Sequence, residues 1–142
     1  IADLACGNGV LGIAAAVLNP RAKIDFYDDS SIAIQSAKES VQANFEANER
    51  FRFHHQDGLS DCSPGSLDLV LCNPPFHVGQ QQDTSIAERL FRQAREALKP
   101  GGELWVVGNR HLGYHIRLRK RFKSADVMAA NRKFVVIRCR SA

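Results

Sequence analysis

The stretch Asn73-Pro74-Pro75-Phe76 is the part of this sequence best suited to chemistry. Two prolines exclude helix and central strand and preset the backbone of a rigid loop. In such a loop the Asn73 amide oxygen and the Pro74 carbonyl can point together at one NH2 group, each accepting one of its hydrogens. An exocyclic amine on a purine is a poor nucleophile because its lone pair is delocalised into the ring. Two acceptors can hold the nitrogen toward tetrahedral geometry and aim the lone pair at a methyl donor, which is catalysis by orientation. Phe76 offers a flat face on which an extruded base can stack. A plain Pro-rich turn with a core phenylalanine would give no role to the asparagine before the prolines or to the aromatic after them.

A second group of residues suits a nucleotide-like ligand. Asp3-Leu4-Ala5-Cys6-Gly7-Asn8-Gly9 lies between a strand and a helix, and Gly7 and Gly9 allow a tight turn with close backbone approach. Gly12 completes a G-x-G-x-x-G spelling, so the loop by itself leaves a nicotinamide site and other nucleotide sites open. No Walker pattern is present, which excludes a P-loop. Asp28 follows the next strand about 20 residues on, where a carboxylate can accept from both ribose hydroxyls; neighbouring Asp29 suits a helix N-terminus better. Asp57, after the third strand, is placed to meet an adenine amino group, although alone it would read as a turn former. His54 and His55 are strand neighbours pointing to opposite faces, which one metal ion could not easily use. Cys6, Cys62, Cys72 and Cys139 show no zinc or redox spacing. No metal site is expected, and unpaired cysteines fit a reducing cytoplasm.

These residues need strands and helices to hold them. Ala22–Asp28, Phe51–Gln56, Leu67–Cys72, Glu103–Gly108 and Phe134–Cys139 are short, apolar and rich in β-branched or aromatic residues, as strands are. Val10–Leu18 reads as a small-residue helix ended by Asn19-Pro20. Ser30–Asn48 carries Ile34, Ala37, Val41 and Phe45 on one stripe behind a Ser30 or Ser31 cap. Ser85–Leu98 carries Ile86, Leu90, Ala94 and Ala97, with a Ser85/Glu88 capping box and a Lys99-Pro100-Gly101-Gly102 stop. His111–Phe122 is a shorter basic helix. Such alternation implies a Rossmann-like α/β fold, a doubly wound and mostly parallel sheet with helices on both faces. Ala125–Ala129 and Phe134–Cys139 read as a hairpin, so the last strand is expected to run antiparallel.

The 142 residues suit one domain, 1–142, with the 44% apolar and 24% charged composition of a globular protein. No apolar run approaches the roughly 20 residues of a membrane span. The chain opens on Ile1-Ala2-Asp3 as the end of a strand, so an N-terminally truncated fold from a longer protein is expected. Net charge is only +4, but it is segregated. Residues 1–109 hold 9 Lys+Arg against 14 Asp+Glu, whereas residues 110–142 hold 10 against Asp126 alone. A block of that kind, with Arg117, Lys120, Arg121 and Arg132, fits a polyanion; a solvated helix face with an Arg-rich tail fits the count equally well.

The glycine loop, Asp28, Asp57 and Asn73-Pro74-Pro75-Phe76 together resemble the Rossmann-like, S-adenosylmethionine-dependent (class I) methyltransferases with an N-P-P-[FYW] loop. Asn73 to His77, Lys99 to Leu104 and Asn109 to Tyr114 narrow this to a resemblance to the ribosomal RNA guanine-N2 methyltransferases, the large-subunit (RlmG) type more than the small-subunit (RsmC) type. It covers nearly the whole chain. By position, the resemblance implies that Asp3, Ala5, Gly7, Asn8 and Gly9 hold the methionine part of the donor, Asp28 its ribose and Asp57 its adenine. Asn73 would border the donor, and Asn73, Pro74 and Phe76 would hold the guanine. The expected activity is direct methyl displacement without metal, releasing S-adenosylhomocysteine, with ribosomal RNA as cytoplasmic partner. The competing enzyme readings are a protein glutamine-amide methyltransferase and an N6-adenine methyltransferase. A non-catalytic RNA-binding domain is disfavoured by the intact Asp28, Asp57 and Asn73.

Overall fold

The structure, a computed structural model, describes residues 1–46, 49–75 and 82–142. Among these, the strands β1 (Ala2–Leu4), β2 (Ile24–Asp28), β3 (Phe51–His55), β4 (Leu67–Cys72), β5 (Leu98–Asn109), β6 (Ser124–Ala130) and β7 (Phe134–Arg140) form one sheet. Its order is β3-β2-β1-β4-β5-β7-β6. The first five strands are mutually parallel, and β7 runs antiparallel to both β5 and β6. The mixed sheet with a terminal hairpin is therefore the expected one. The chain winds outward in both directions from the β1/β4 pair. That pair is the topological switch point, where open α/β sheets bind ligands beyond the carboxyl ends of their strands.

Four helices complete the layers: α1 (Val10–Leu18), α2 (Ser31–Asn44), α3 (Gln82–Ala97) and α4 (Tyr114–Arg121). One core joins α1 and α2 to the sheet through Ala16, Phe26, Ile34, Ala37, Val41 and Phe51. The other joins α3 and α4 to it through Val70, Phe91, Leu104, Leu118 and Ile137. Ser30 caps α2, its hydroxyl accepting from the Ala33 N–H at 3.2 Å.

Several boundaries differ from the sequence expectation; α2, for one, ends at Asn44 rather than Asn48 and leaves Phe45 outside it in extended backbone. The α3 helix begins at Gln82, so Ser85 lies inside it; Glu88 makes no capping box but pairs with Arg117 and Arg121 of α4. The basic helix starts only at Tyr114, because Gly113 adopts φ 69° between it and a short 3-10 turn, Arg110–Leu112. Lys99 to Gly102 does not stand outside the sheet: β5 starts at Leu98 opposite Leu67, and the register then slips so that Glu103 faces Leu69. The apolar period cannot reveal such a bulge.

Candidate active site

Strand register alone brings the singled-out residues into one row. Leu4 is paired with Tyr27 on one side and with Cys72 on the other, and Asp28 with His55. The next residues along β1, β2 and β4 are Ala5, Asp28 and Asn73, side by side at the carboxyl edge of the sheet, with Asp57 two residues beyond β3.

The glycine loop is held from beneath and from the side. Asp3, 1% exposed, accepts the Gly12 N–H at 2.9 Å and so anchors the first turn of α1. Burial pushes its carboxyl up to about 7 against that hydrogen bond, and the nearby Asp28 charge adds to the rise. Gly12 has no space for a side chain: a Cβ there would lie 2.4 Å from the Phe26 ring. The third glycine of the G-x-G-x-x-G spelling thus serves helix–strand packing. Between these anchors, Ala5 at φ 56°, Gly7 at φ 54° and Gly9 at φ 84° turn the backbone back over the sheet. A left-handed alanine costs roughly 1–2 kcal/mol, strain of a kind that tends to sit at functional loops. Asn8 is exposed and its side chain accepts weakly from the Val10 N–H at 3.3 Å.

Asp28 links the loop to β2. Its Oδ2 accepts the Gly7 N–H and its Oδ1 the Ser30 N–H, both at 2.9 Å. A carboxylate has about four acceptor positions. Two therefore remain for a diol, which is what a ribose presents.

Asp57 is exposed and bound to Arg89 of α3, whose hydrogen bond holds its carboxyl below the usual range. One helical turn on, Gln93 Oε1 accepts the Leu59 N–H at 2.9 Å. The loop that carries Asp57 is thus pinned twice by α3. Sequence reasoning missed Arg89 because its partner is 32 positions away, although the charge of opposite sign beside the helix's apolar stripe was visible.

Ala5, Asp28 and Asp57 line one cleft with Tyr27, Pro75 and Arg89. Leu4, Ile86 and Leu90 add apolar wall. Its volume is about 190 Å³, below the roughly 300–1,000 Å³ that encloses a drug-sized ligand, so it suits a nucleoside moiety whose remainder lies along the glycine loop. Asn73, directly after β4, is exposed and Pro74 is buried, while Pro75 reaches the cleft. Phe76 lies outside the described residues, as does His77. The two strand histidines diverge as expected: His54 meets Asp25 at 2.7 Å while His55 meets the Asp29 carbonyl at 3.0 Å. Among the described residues no cluster could hold a metal ion.

Comparison with known proteins agrees with this geometry. The profile of the family described as methyltransferase small domain matches residues 1–138. Ribosomal RNA large subunit methyltransferase G of Pseudomonas paraeruginosa is 53% identical over 137 residues, 96% of this chain and 36% of that protein. The enzyme of the same name from Streptomyces coelicolor is 49% identical over 138 residues, 97% of this chain and 36% of that protein. The chain therefore spans little more than a third of these relatives. The T. thermophilus 16S rRNA N2 guanine methyltransferase RsmC, solved with AdoMet and guanosine, superposes with a TM-score of 0.84 at 23% identity, over 99% of this chain and 37% of that one. At that identity the likeness is one of fold.

Proposed function

The chain belongs to the methyltransferase small domain family, and on that premise we propose that it transfers a methyl group from S-adenosylmethionine to N2 of a guanine in ribosomal RNA, the large-subunit RNA in particular. The observation that carries this reading is the adjacency of two chemically distinct edges at the switch point. On one side Ala5, Asp28 and Asp57 line a nucleoside-sized cleft; on the other, β4 delivers Asn73, Pro74 and Pro75. The relatives named large-subunit methyltransferase G and the RsmC fold support the choice of substrate.

The residues present fit the donor. Asp28 would accept the ribose hydroxyls with its remaining lone pairs while keeping Gly7 and Ser30. Asp57 would take the adenine amino group on the oxygen that Arg89 leaves. Asp3 supports the loop of Ala5, Gly7, Asn8 and Gly9 against which the methionine part would rest. When bound, S-adenosylmethionine supplies an electrophilic methyl group on a positive sulfonium. The work left to the protein is orientation: the Asn73 Oδ1 and the Pro74 carbonyl would accept the two hydrogens of the guanine amine, and Phe76 would stack on the base. No side chain is needed to form a covalent bond: the N–CH3 bond would form as the S–CH3 bond breaks, S-adenosylhomocysteine would leave, and the surplus proton of the nitrogen would pass to water. Arg117, Lys120, Arg121 and Arg132 would contribute phosphate contacts, and the cytoplasm is the compartment this substrate implies. No helix among the described residues is long and apolar enough to cross a membrane.

The test is a pair of variants in the protein that carries this domain. Asn73→Ala should abolish nearly all single-turnover transfer to large-subunit RNA while leaving donor affinity almost intact. Asp28→Ala should weaken donor binding by about 1.5–3 kcal/mol, the cost of losing hydrogen bonds to a charged group. An Asn73→Ala enzyme with a near-normal single-turnover rate would remove that residue from the reaction. Methylated adenine or a methylated glutamine amide as the product would overturn the choice of guanine.

A further inference from the structure

The cationic residues do not follow the split seen in the sequence. On α3, Arg89 and Arg92 face the groove toward α4, which contributes Arg117, Lys120 and Arg121. The three α4 residues come from the basic block, but the two arginines of α3 belong to the part of the chain whose net charge is acidic. Among the described residues the groove's carboxylate is Glu88, which takes Arg117 at 3.1 Å and Arg121 at 2.6 Å. Burial raises the Glu88 carboxyl, yet the two guanidinium groups outweigh it and keep the group ionised. The two arginines are thereby fixed in place, and donors remain on both, since each guanidinium offers five N–H bonds. Arg92 and Lys120 are exposed, and among the described residues no carboxylate pairs with either. Arg89 belongs to this groove and also to the cleft. The groove therefore adjoins the cleft that Asp28, Asp57 and Pro75 line.

We propose that the α3/α4 groove seats the RNA sugar–phosphate backbone next to the target nucleotide, with Arg92, Arg117, Lys120 and Arg121 on consecutive phosphates and Glu88 as the brace that preorganises the two paired arginines. This rests on the nucleic-acid reading of the active site. Guanidinium forks match phosphate oxygens in pairs and lose little entropy when already held. Phosphate contacts carry no base information, so the groove supplies register and affinity while the Asn73-Pro74 loop selects the base.

The experiment compares two charge-matched double variants of the full-length protein. Arg92→Gln with Lys120→Gln neutralises the groove and spares the Glu88 pairs. Arg21→Gln with Lys23→Gln removes two exposed cations before β2, at the opposite end of the sheet. Binding to a single-stranded fragment of large-subunit RNA is read at several salt concentrations, together with donor affinity, KM for RNA and kcat. The groove variant should lower the slope of log affinity against log salt by about 1.4, at roughly 0.7 per phosphate contact. Its KM should rise about tenfold at low salt, with donor affinity and kcat unchanged, and the control should match the unaltered protein. A groove variant whose slope and KM equal the control's overturns the groove assignment and leaves the methyltransferase reading standing. Failure of the unaltered protein to bind or methylate RNA, or salt-sensitive capture of an acidic protein in its place, overturns both.

Discussion

Asp3, inside β1, and Asp28, the last residue of β2, are both carboxylates that accept backbone N–H groups, yet their surroundings set them apart. Asp28 is half-buried and holds two backbone N–H groups while retaining room for a ligand. Asp3 is buried and accepts the Gly12 N–H. Its carboxyl is raised from 3.8 to about 7 by burial, so the folded protein binds a proton that the unfolded chain has already lost. A group shifted this way makes stability fall as pH rises from about 4 to about 7, the reverse of a salt-bridged aspartate. Asp3→Asn keeps an oxygen for the Gly12 N–H and removes the titration. Thermal unfolding of Asp3→Asn between pH 4 and 8 should show a flatter profile than the parent; an equal slope in both would mean that Asp3 does not titrate in this window. Asp28, Asp57 and Asn73 were legible in the sequence because each follows an apolar strand, and strand ends are where such a sheet binds ligands. The burial of Asp3 was not legible, since a residue's depth depends on α1 packing over it. Nor was Arg89, whose bond to Asp57 joins distant parts of the chain.

At the scale of elements, apolar period and punctuation were enough to place every strand that carries a site residue, and α1 was read to its exact ends. Errors fell where the determining contact is tertiary. Glu88 reads locally as a capping residue three positions after Ser85, but arginines from α4 claim it. Gly113 breaks the basic segment through a left-handed turn that helix propensity alone does not demand. Gly12 shows the same principle in its favour: a spelling shared with dinucleotide sites survives here for packing, because Phe26 occupies the space a side chain would need. Gly12→Ala should therefore cost about 1–3 kcal/mol by forcing α1 off the sheet, and should weaken donor binding as Gly7 and Gly9 move with it. Denaturant unfolding checks the first effect and calorimetry with the donor the second. A variant as stable as its parent would show that α1 and β2 can separate at no cost.

At the scale of the molecule, one sheet edge gathers Ala5, Asp28 and Asn73, with Asp57 two residues beyond β3. The α3 helix follows the Asn73-Pro74-Pro75 loop, pins the Asp57 loop through Arg89 and Gln93, and forms one wall of the basic groove. The cleft and the groove thus share Arg89 on one helix, which suits the proposed reaction, one governed by positioning. The segregated charge of the sequence fitted a polyanion and a solvated face equally well, and it could not show that arginines from the acidic part join the block in space. The relatives are nearly three times as long as this chain. The most direct measurement is mass spectrometry of nucleosides from ribosomal RNA, in a strain lacking the full-length protein and in the same strain complemented with it or with its Asn73→Ala form. Loss of N2-methylguanosine from large-subunit RNA, restored by the parent protein and not by Asn73→Ala, is the expected result. Unchanged N2-methylguanosine, or loss of a different modified nucleoside, would contradict it.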